Sequence, residues 1–188
     1  MVATPVRATI AGLANTPDDG QRYELIDGEI IVSPAPSWMH QQTVGNLYLL
    51  LRHWVDAGRL GEVALAPIDV LMLNETVVVQ PDLVYVSTAN LGNIRDGRYY
   101  GTPDLVVEVV SPTSQSYDAV TKMFRYAQAG IPEYWLVDPF ARTFLILSLG
   151  DGNVYVPQGP GTDGPLTSVL LPGLTVDPAT IFPPVTRP

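Results

Sequence analysis

Three residues of this chain have the types and placing to do chemistry: Asp82, Glu108 and Lys122. Lys122 is the only lysine among ten basic residues; the rest are arginines. A compact ammonium is hard to replace with a planar guanidinium where it must sit close to a developing charge or share a proton. Asp82 follows Pro81 in the segment Q-P-D-L-V-Y-V, and Glu108 interrupts the apolar run P-D-L-V-V-E-V-V-S-P. A carboxylate inside an apolar strand is costly unless it is paired, hydrogen-bonded or bound to a metal. Two acids and a lysine are the minimal equipment for metal-dependent phosphodiester cleavage. Mg2+ prefers a few hard carboxylate oxygens and keeps its waters, with Mn2+ as the alternative ion. The lysine would stabilise charge on the phosphate or help to deprotonate water. The competing reading is structural: a glutamate satisfied by an arginine or an amide, and a lysine on a solvated helix face.

Other polar residues carry weaker signals. Asp104 shares a strand face with Glu108, but four residues separate them. At ~3.3 Å per residue that is about 13 Å, too far for one shared ion. Asp118 and Lys122 have the spacing of an exposed helical ion pair. His40 falls at the start of the first long helix, on its apolar stripe, and reads as a core or helix-start residue. His53 lies off that stripe and should be exposed. Glu24 and Glu29 read as solvated hairpin residues. Neither histidine has a neighbour at metal-ligand spacing, and the chain has no cysteine, so nothing points to zinc, thiol catalysis or a disulfide.

The elements that must position these groups follow from pattern. Residues 1–20 are expected to be an extended lead-in and 21–188 a single domain. Tyr23–Ile26 and Glu29–Val32 flank Asp27-Gly28, which predicts a tight hairpin. Pairing across that turn puts Tyr23, Leu25, Ile30 and Val32 on one face, and Glu24, Ile26, Glu29 and Ile31 on the other. Val44, Leu47, Leu51, Trp54 and Val55 predict a helix over 36–57, with Gly58 as its breaker. Strands are expected at 63–73 and 77–86, then a polar loop at 88–101. Residues 104–110 read as a strand covered on both faces. A helix over 116–129 follows, with an apolar stripe of Val120, Met123, Phe124 and Ala127, closed by Gly130. Lys122 sits about 200° around from Val120, at the border of that stripe. Another strand is expected at 134–137, and later ones at 143–149 and 166–171. Strand, helix, strand over 104–138 is a βαβ unit, so its two strands should be parallel.

The net charge of −9 opposes tight, sequence-independent binding to a nucleic-acid backbone. No apolar run reaches the ~18 residues of a membrane span, and the N-terminus lacks an apolar signal core, which fits a cytoplasmic protein. The apolar composition is compatible with a homodimer.

The segments Y-E-L-I-D-G-E-I, Q-P-D-L-V-Y-V, P-D-L-V-V-E-V-V-S-P, K-M-F-R-Y-A-Q-A-G-I-P-E-Y-W-L-V-D-P and a late L-P-G-L occur in order over about residues 22–175. With them the chain resembles the putative restriction endonuclease family of bacterial proteins, within the PD-(D/E)XK nuclease superfamily. The resemblance implies an α/β (α+β) fold, a restriction-endonuclease-like mixed β-sheet flanked by helices, with Asp82 and Glu108 as metal ligands. The superfamily's lysine lies two residues after the glutamate, where this chain has Val110. The resemblance implies that Lys122, on the following helix, has taken over that role. The expected function is then a Mg2+-dependent endonuclease acting on DNA. The alternative is a catalytically silent module of the same fold, used for binding or assembly. Arginine at position 122 keeps charge and helix propensity, so it is expected to lower cleavage while leaving stability nearly unchanged.

Overall fold

The computed structural model describes residues 7–33, 35–110, 117–159 and 164–184. After a single helical turn, α1 (Ile10–Leu13), the Asp27-Gly28 hairpin joins β1 (Arg22–Ile26) to β2 (Glu29–Ser33). Both turn residues have positive φ, 56° and 85°, as the two-residue turn requires. The long helix α2 (Trp38–Gly58) leads into β3 (Gly61–Leu65), β4 (Val70–Met72), β5 (Val77–Val79) and β6 (Leu83–Ser87). Two short strands, β7 (Ile94–Arg95) and β8 (Arg98–Tyr100), precede β9 (Leu105–Val109), α3 (Tyr117–Ala129) and β10 (Glu133–Asp138). The chain ends with β11 (Thr143–Gly150), β12 (Val154–Pro157), the small pair β13 (Leu166–Thr167) and β14 (Thr175–Val176), and α4 (Pro178–Ile181).

These strands form two six-stranded mixed sheets, β2-β1-β5-β4-β8-β7 and β12-β11-β10-β9-β6-β3. The predicted βαβ unit is present: β9 and β10 run parallel. Strict alternation along β9 assigns its side chains to two cores. Leu105, Val107 and Val109 pack with Val44, Leu47, Leu51 and Val55 of α2. Val106 faces the other way, into a core shared with Ile26, Val77 and Val79 of the first sheet and with Tyr126 of α3. The second sheet is thus buried on both faces, which is why its central strands are almost wholly apolar.

Several expectations change. The lead-in is not wholly extended, because Thr9 caps the turn at Ile10–Leu13, and Ile10 and Leu13 pack on Leu25, Leu71 and Val78. The breaker of α2 is not Gly58, which stays in the helix; Arg59 takes the left-handed conformation, and Leu60 N–H closes on Val55 O at 2.9 Å. The expected strands 63–73 and 77–86 each break in two, and the loop 88–101 contains β7 and β8.

The largest difference is at α3. Val120 and Phe124, expected inside, are 60% and 54% exposed, while Lys122 and Tyr126 face the core. Hydrophobic periodicity ranks a lysine as an outward residue. Here two buried carboxylates compensate its charge and turn the helix by about a third of a turn from the expected face.

Glu133 closes the far end of the second sheet. Its carboxylate accepts from Trp135 Nε1 at 2.8 Å, Ser168 Oγ at 2.7 Å, and the amides of Val169 and Leu170 at 2.8 and 3.0 Å. It therefore ties the β13–β14 segment to β10. Glu133→Ala would leave four donors short of an acceptor, at about 1–3 kcal/mol each for those that stay dry. A total loss of roughly 3–5 kcal/mol is expected, read from urea denaturation at constant m-value.

Candidate functional site

Sheet order brings the first two acids together. β6 and β9 pair antiparallel with Leu83 opposite Val107. One step further in the same register sets Asp82 opposite Glu108, where Cβ atoms in such pairs lie ~4.5–5.5 Å apart. Asp82 is buried and held from three sides. Its Oδ2 accepts the Val109 N–H at 2.9 Å and meets His40 Nε2 at 3.1 Å; its Oδ1 accepts from Arg22 Nη1 at 3.0 Å. Burial alone would raise its pKa. The His40 contact, the Arg22 charge and the Val109 amide outweigh burial and hold the carboxyl below its ordinary value.

Lys122 and Glu108 meet in the layer between the two sheets. Lys122 Nζ lies 2.8 Å from Glu24 Oε1 and 3.3 Å from Glu108 Oε1. Tyr126, one turn along α3, donates to the same Glu108 oxygen at 2.6 Å. Glu24 comes from β1 of the first sheet, and its Oε1 also accepts the Gln80 N–H at 2.7 Å. Its other oxygen, Oε2, is buried without a partner. Lys122 is 7% exposed and Glu24 1%. Burial pushes Glu108 up to about 7, helped by the Asp82 and Glu24 charges and opposed by Lys122 and Tyr126. Lys122 moves the other way from what burial favours: Glu108 and Glu24 raise its pKa and keep it an ammonium. It is therefore a source of positive charge at neutral pH and not a base.

The cluster sets three carboxylates (Asp82, Glu108, Glu24) against two permanent cations (Arg22, Lys122). With Glu108 ionised, the carboxylates outnumber the permanent cations by one, and His40 lies against Asp82. Hard oxygen donors, a partnerless Glu24 Oε2 and this charge deficit suit a divalent cation of the Mg2+ type, which takes one or two carboxylates and fills its shell with water and substrate. Asp82 and Glu108 are the residues that could hold it. Among the described residues no group of three or more His, Cys, Asp or Glu side chains is placed to hold a metal ion, so the ion would rest on these two carboxylates and water.

Residues 13–179 match the family described as "Putative restriction endonuclease". The chain belongs to that family. A crystal structure from Anabaena variabilis, described as a putative nuclease belonging to DUF820, is similar over 93% of this chain and 97% of that one, with 16% identity and a TM-score of 0.75. That likeness concerns the fold. No match was found among curated proteins. The family's order of motifs now has a spatial meaning here. Position 110, two residues beyond Glu108, would share its strand face. In this chain Lys122 reaches the same carboxylate from α3.

The remaining candidates separate. Glu24 is a correction: it is buried in the cluster, whereas Glu29 is exposed as expected. The missed signal was its sheet face, shared with Ile26 and paired with Ile31. His40 is buried, as a helix-start residue, but its ring also touches Asp82. His53 is exposed. Asp104 fastens a turn: it accepts Ser87 N–H at 2.7 Å and binds the Asn90 amide at 3.0 Å, away from the cluster. The side chain of Asp118 lies outside the described residues. Arg22 and Tyr126 were not singled out in the sequence. Because Lys122 is buried, arginine there must fit a larger head into packed space, so Lys122→Arg is no longer expected to be neutral for stability; about 1–3 kcal/mol of overpacking applies.

The raised Glu108 pKa has a stability consequence. Its folded value, about 7, exceeds the ordinary 4.5. Its contribution is thus fully present below about pH 4.5 and is lost as pH rises through 7. Up to about 3 kcal/mol is at stake. In chelator, wild type should lose melting temperature between pH 5 and pH 8 (~ a few degrees,). Glu108→Gln, which cannot ionise, should lose clearly less over the same interval. Equal losses would show that Glu108 titrates normally.

Proposed function

We propose that this protein is a Mg2+-dependent endonuclease that hydrolyses DNA phosphodiester bonds, with Asp82, Glu108 and Lys122 as its catalytic residues. The observation that carries the reading is the position of the only lysine: a buried ammonium held against Glu108, with Asp82 bonded to the adjoining Val109 amide. A solvated-face lysine would show no such partners. The bound ion, held by Asp82 and Glu108, would supply Lewis acidity and an activated water.

The chain's own groups do the rest. Val109 N–H and His40 fix one oxygen of Asp82, so its carboxylate cannot swing. Tyr126 and Lys122 hold Glu108 by a single oxygen. Lys122 places positive charge where the phosphate becomes more negative as water adds to phosphorus. The attacking water gives up its proton to solvent as its oxygen bonds to phosphorus, the phosphorus–O3′ bond breaks, and the 3′ oxygen leaves with a proton from solvent. Glu24 keeps Lys122 charged and in place.

The alternative, a silent module of the same fold, draws on the net charge of −9 and on Arg22, which already occupies one side of Asp82. Plasmid nicking separates the two. Wild type should cleave with Mg2+ at low salt, since few cations are present to hold the backbone. Glu108→Ala and Lys122→Arg should each lower the rate ~10²–10⁴-fold. Melting temperatures, with assays run well below them, distinguish lost chemistry from lost fold. Equal cleavage by all three would assign the activity to another site or a contaminant. No cleavage by wild type across metals and substrates would favour the silent module.

A further inference from the structure

A cavity of about 500 Å3 opens beside Asp82, lined among others by Arg22, His40, Pro36, Val44 and Leu65. Its size falls in the range of small-ligand sites, with apolar walls and a few polar groups. Arg22 is the only Arg or Lys among its described lining residues. The guanidinium bonds Asp82 Oδ1 through Nη1 alone, at 3.0 Å, and the Arg22 side chain is 25% exposed against 5% for Asp82. A guanidinium has five N–H donors, so most remain available to an incoming group. Arg22 also lies in the field of Glu108 and Glu24, which, with Asp82, raise its pKa despite burial. The cation closest to the Asp82 oxygen not held by the backbone is therefore a partly exposed, long side chain at the mouth of a ligand-sized cavity.

We propose that Arg22 has two posts: it neutralises Asp82 in the metal-free protein, and it holds a substrate phosphate in this cavity once a divalent cation has taken that carboxylate. The inference rests on the metal-dependent nuclease reading and adds a substrate seat to it. The seat takes one nucleotide unit, its phosphate on the Arg22 fork and its base against the Pro36, Val44 and Leu65 side. Two facts favour a local seat over a long backbone track. The chain carries −9 net charge, and the cavity offers a single permanent cation. Planar guanidinium binds phosphate with two parallel hydrogen bonds, which an ammonium cannot reproduce.

Isothermal titration of the full chain, stripped with chelator, tests this with two probes: Mg2+ alone, then thymidine 5′-monophosphate at saturating Mg2+. Arg22→Met removes the competing cation, so Mg2+ should bind about tenfold tighter while the mononucleotide binds about tenfold weaker. Arg22→Lys keeps a competing charge but loses the fork. It should leave Mg2+ affinity within about threefold of wild type and still weaken the mononucleotide. Opposite effects of one substitution on two ligands are not what a merely damaged fold produces. Unchanged or weaker Mg2+ binding by Arg22→Met overturns the proposal, as does unchanged mononucleotide binding in either variant. If Arg22→Met does not fold, the Arg22→Lys result decides. If wild type binds Mg2+ and cleaves while Arg22 proves indifferent, only this inference falls. If wild type binds no Mg2+ at millimolar concentration, this inference and the metal-dependent reading fall together.

Discussion

A buried ammonium between two buried carboxylates holds the middle of this molecule together. Lys122 reaches from α3 to Glu24 of the first sheet and Glu108 of the second. Each of these groups alone would be expensive to remove from water. The cost is offset only when all three meet. That condition fixes the rotation of α3 about its axis, the approach of β1 to β9, and the choice of inward residues on both. Loss of Lys122 leaves two carboxylates facing each other in a dry layer without the cation that bridges them. The cluster is therefore a constraint on the fold before it is a feature of chemistry.

Chemistry uses the same constraint. With Glu108 ionised, three acids outnumber the two permanent cations of the site. The molecule can resolve the shortage by protonating Glu108, whose pKa is pushed up to about 7. Binding a cation would do the same without the proton. Charge shortage is what makes a carboxylate pair useful to a metal, and it lowers metal-free stability as pH rises. On the proposed reading, stability and function pull in opposite directions at Glu108, as is common at sites where like charges are held close.

The acidic surface shapes the reading of substrate. The chain belongs to the putative restriction endonuclease family, yet its net charge of −9 gives little long-range attraction for a polyanion. Recognition would have to be local, through a few well-placed cations whose value rises in low dielectric. Arg22 and Lys122 are the two cations in the cluster, and both are tied to acids.

Some of this was written in the sequence. The Asp27-Gly28 turn, the β9 run and the parallel β9–β10 pair depend on neighbours close along the chain, so local pattern specifies them. Glu108 and Asp82 stood out because a lone acid in an apolar strand needs an explanation. Their adjacency did not follow from pattern; it required β6, and not another strand, to pair with β9. The inward turn of Lys122 was expected only from the role the resemblance implies, and the burial of Glu24 was not expected at all. Periodicity scores each residue by its own polarity, and both score as outward. Their partner lies 98 residues away. Only packing of the two sheets and α3 brings the charges within reach, and only mutual compensation makes burying them cheaper than leaving them in water. Residue types thus determined which groups could act. The tertiary structure decided which of them meet, because Coulomb energy depends on distances that the sequence does not contain.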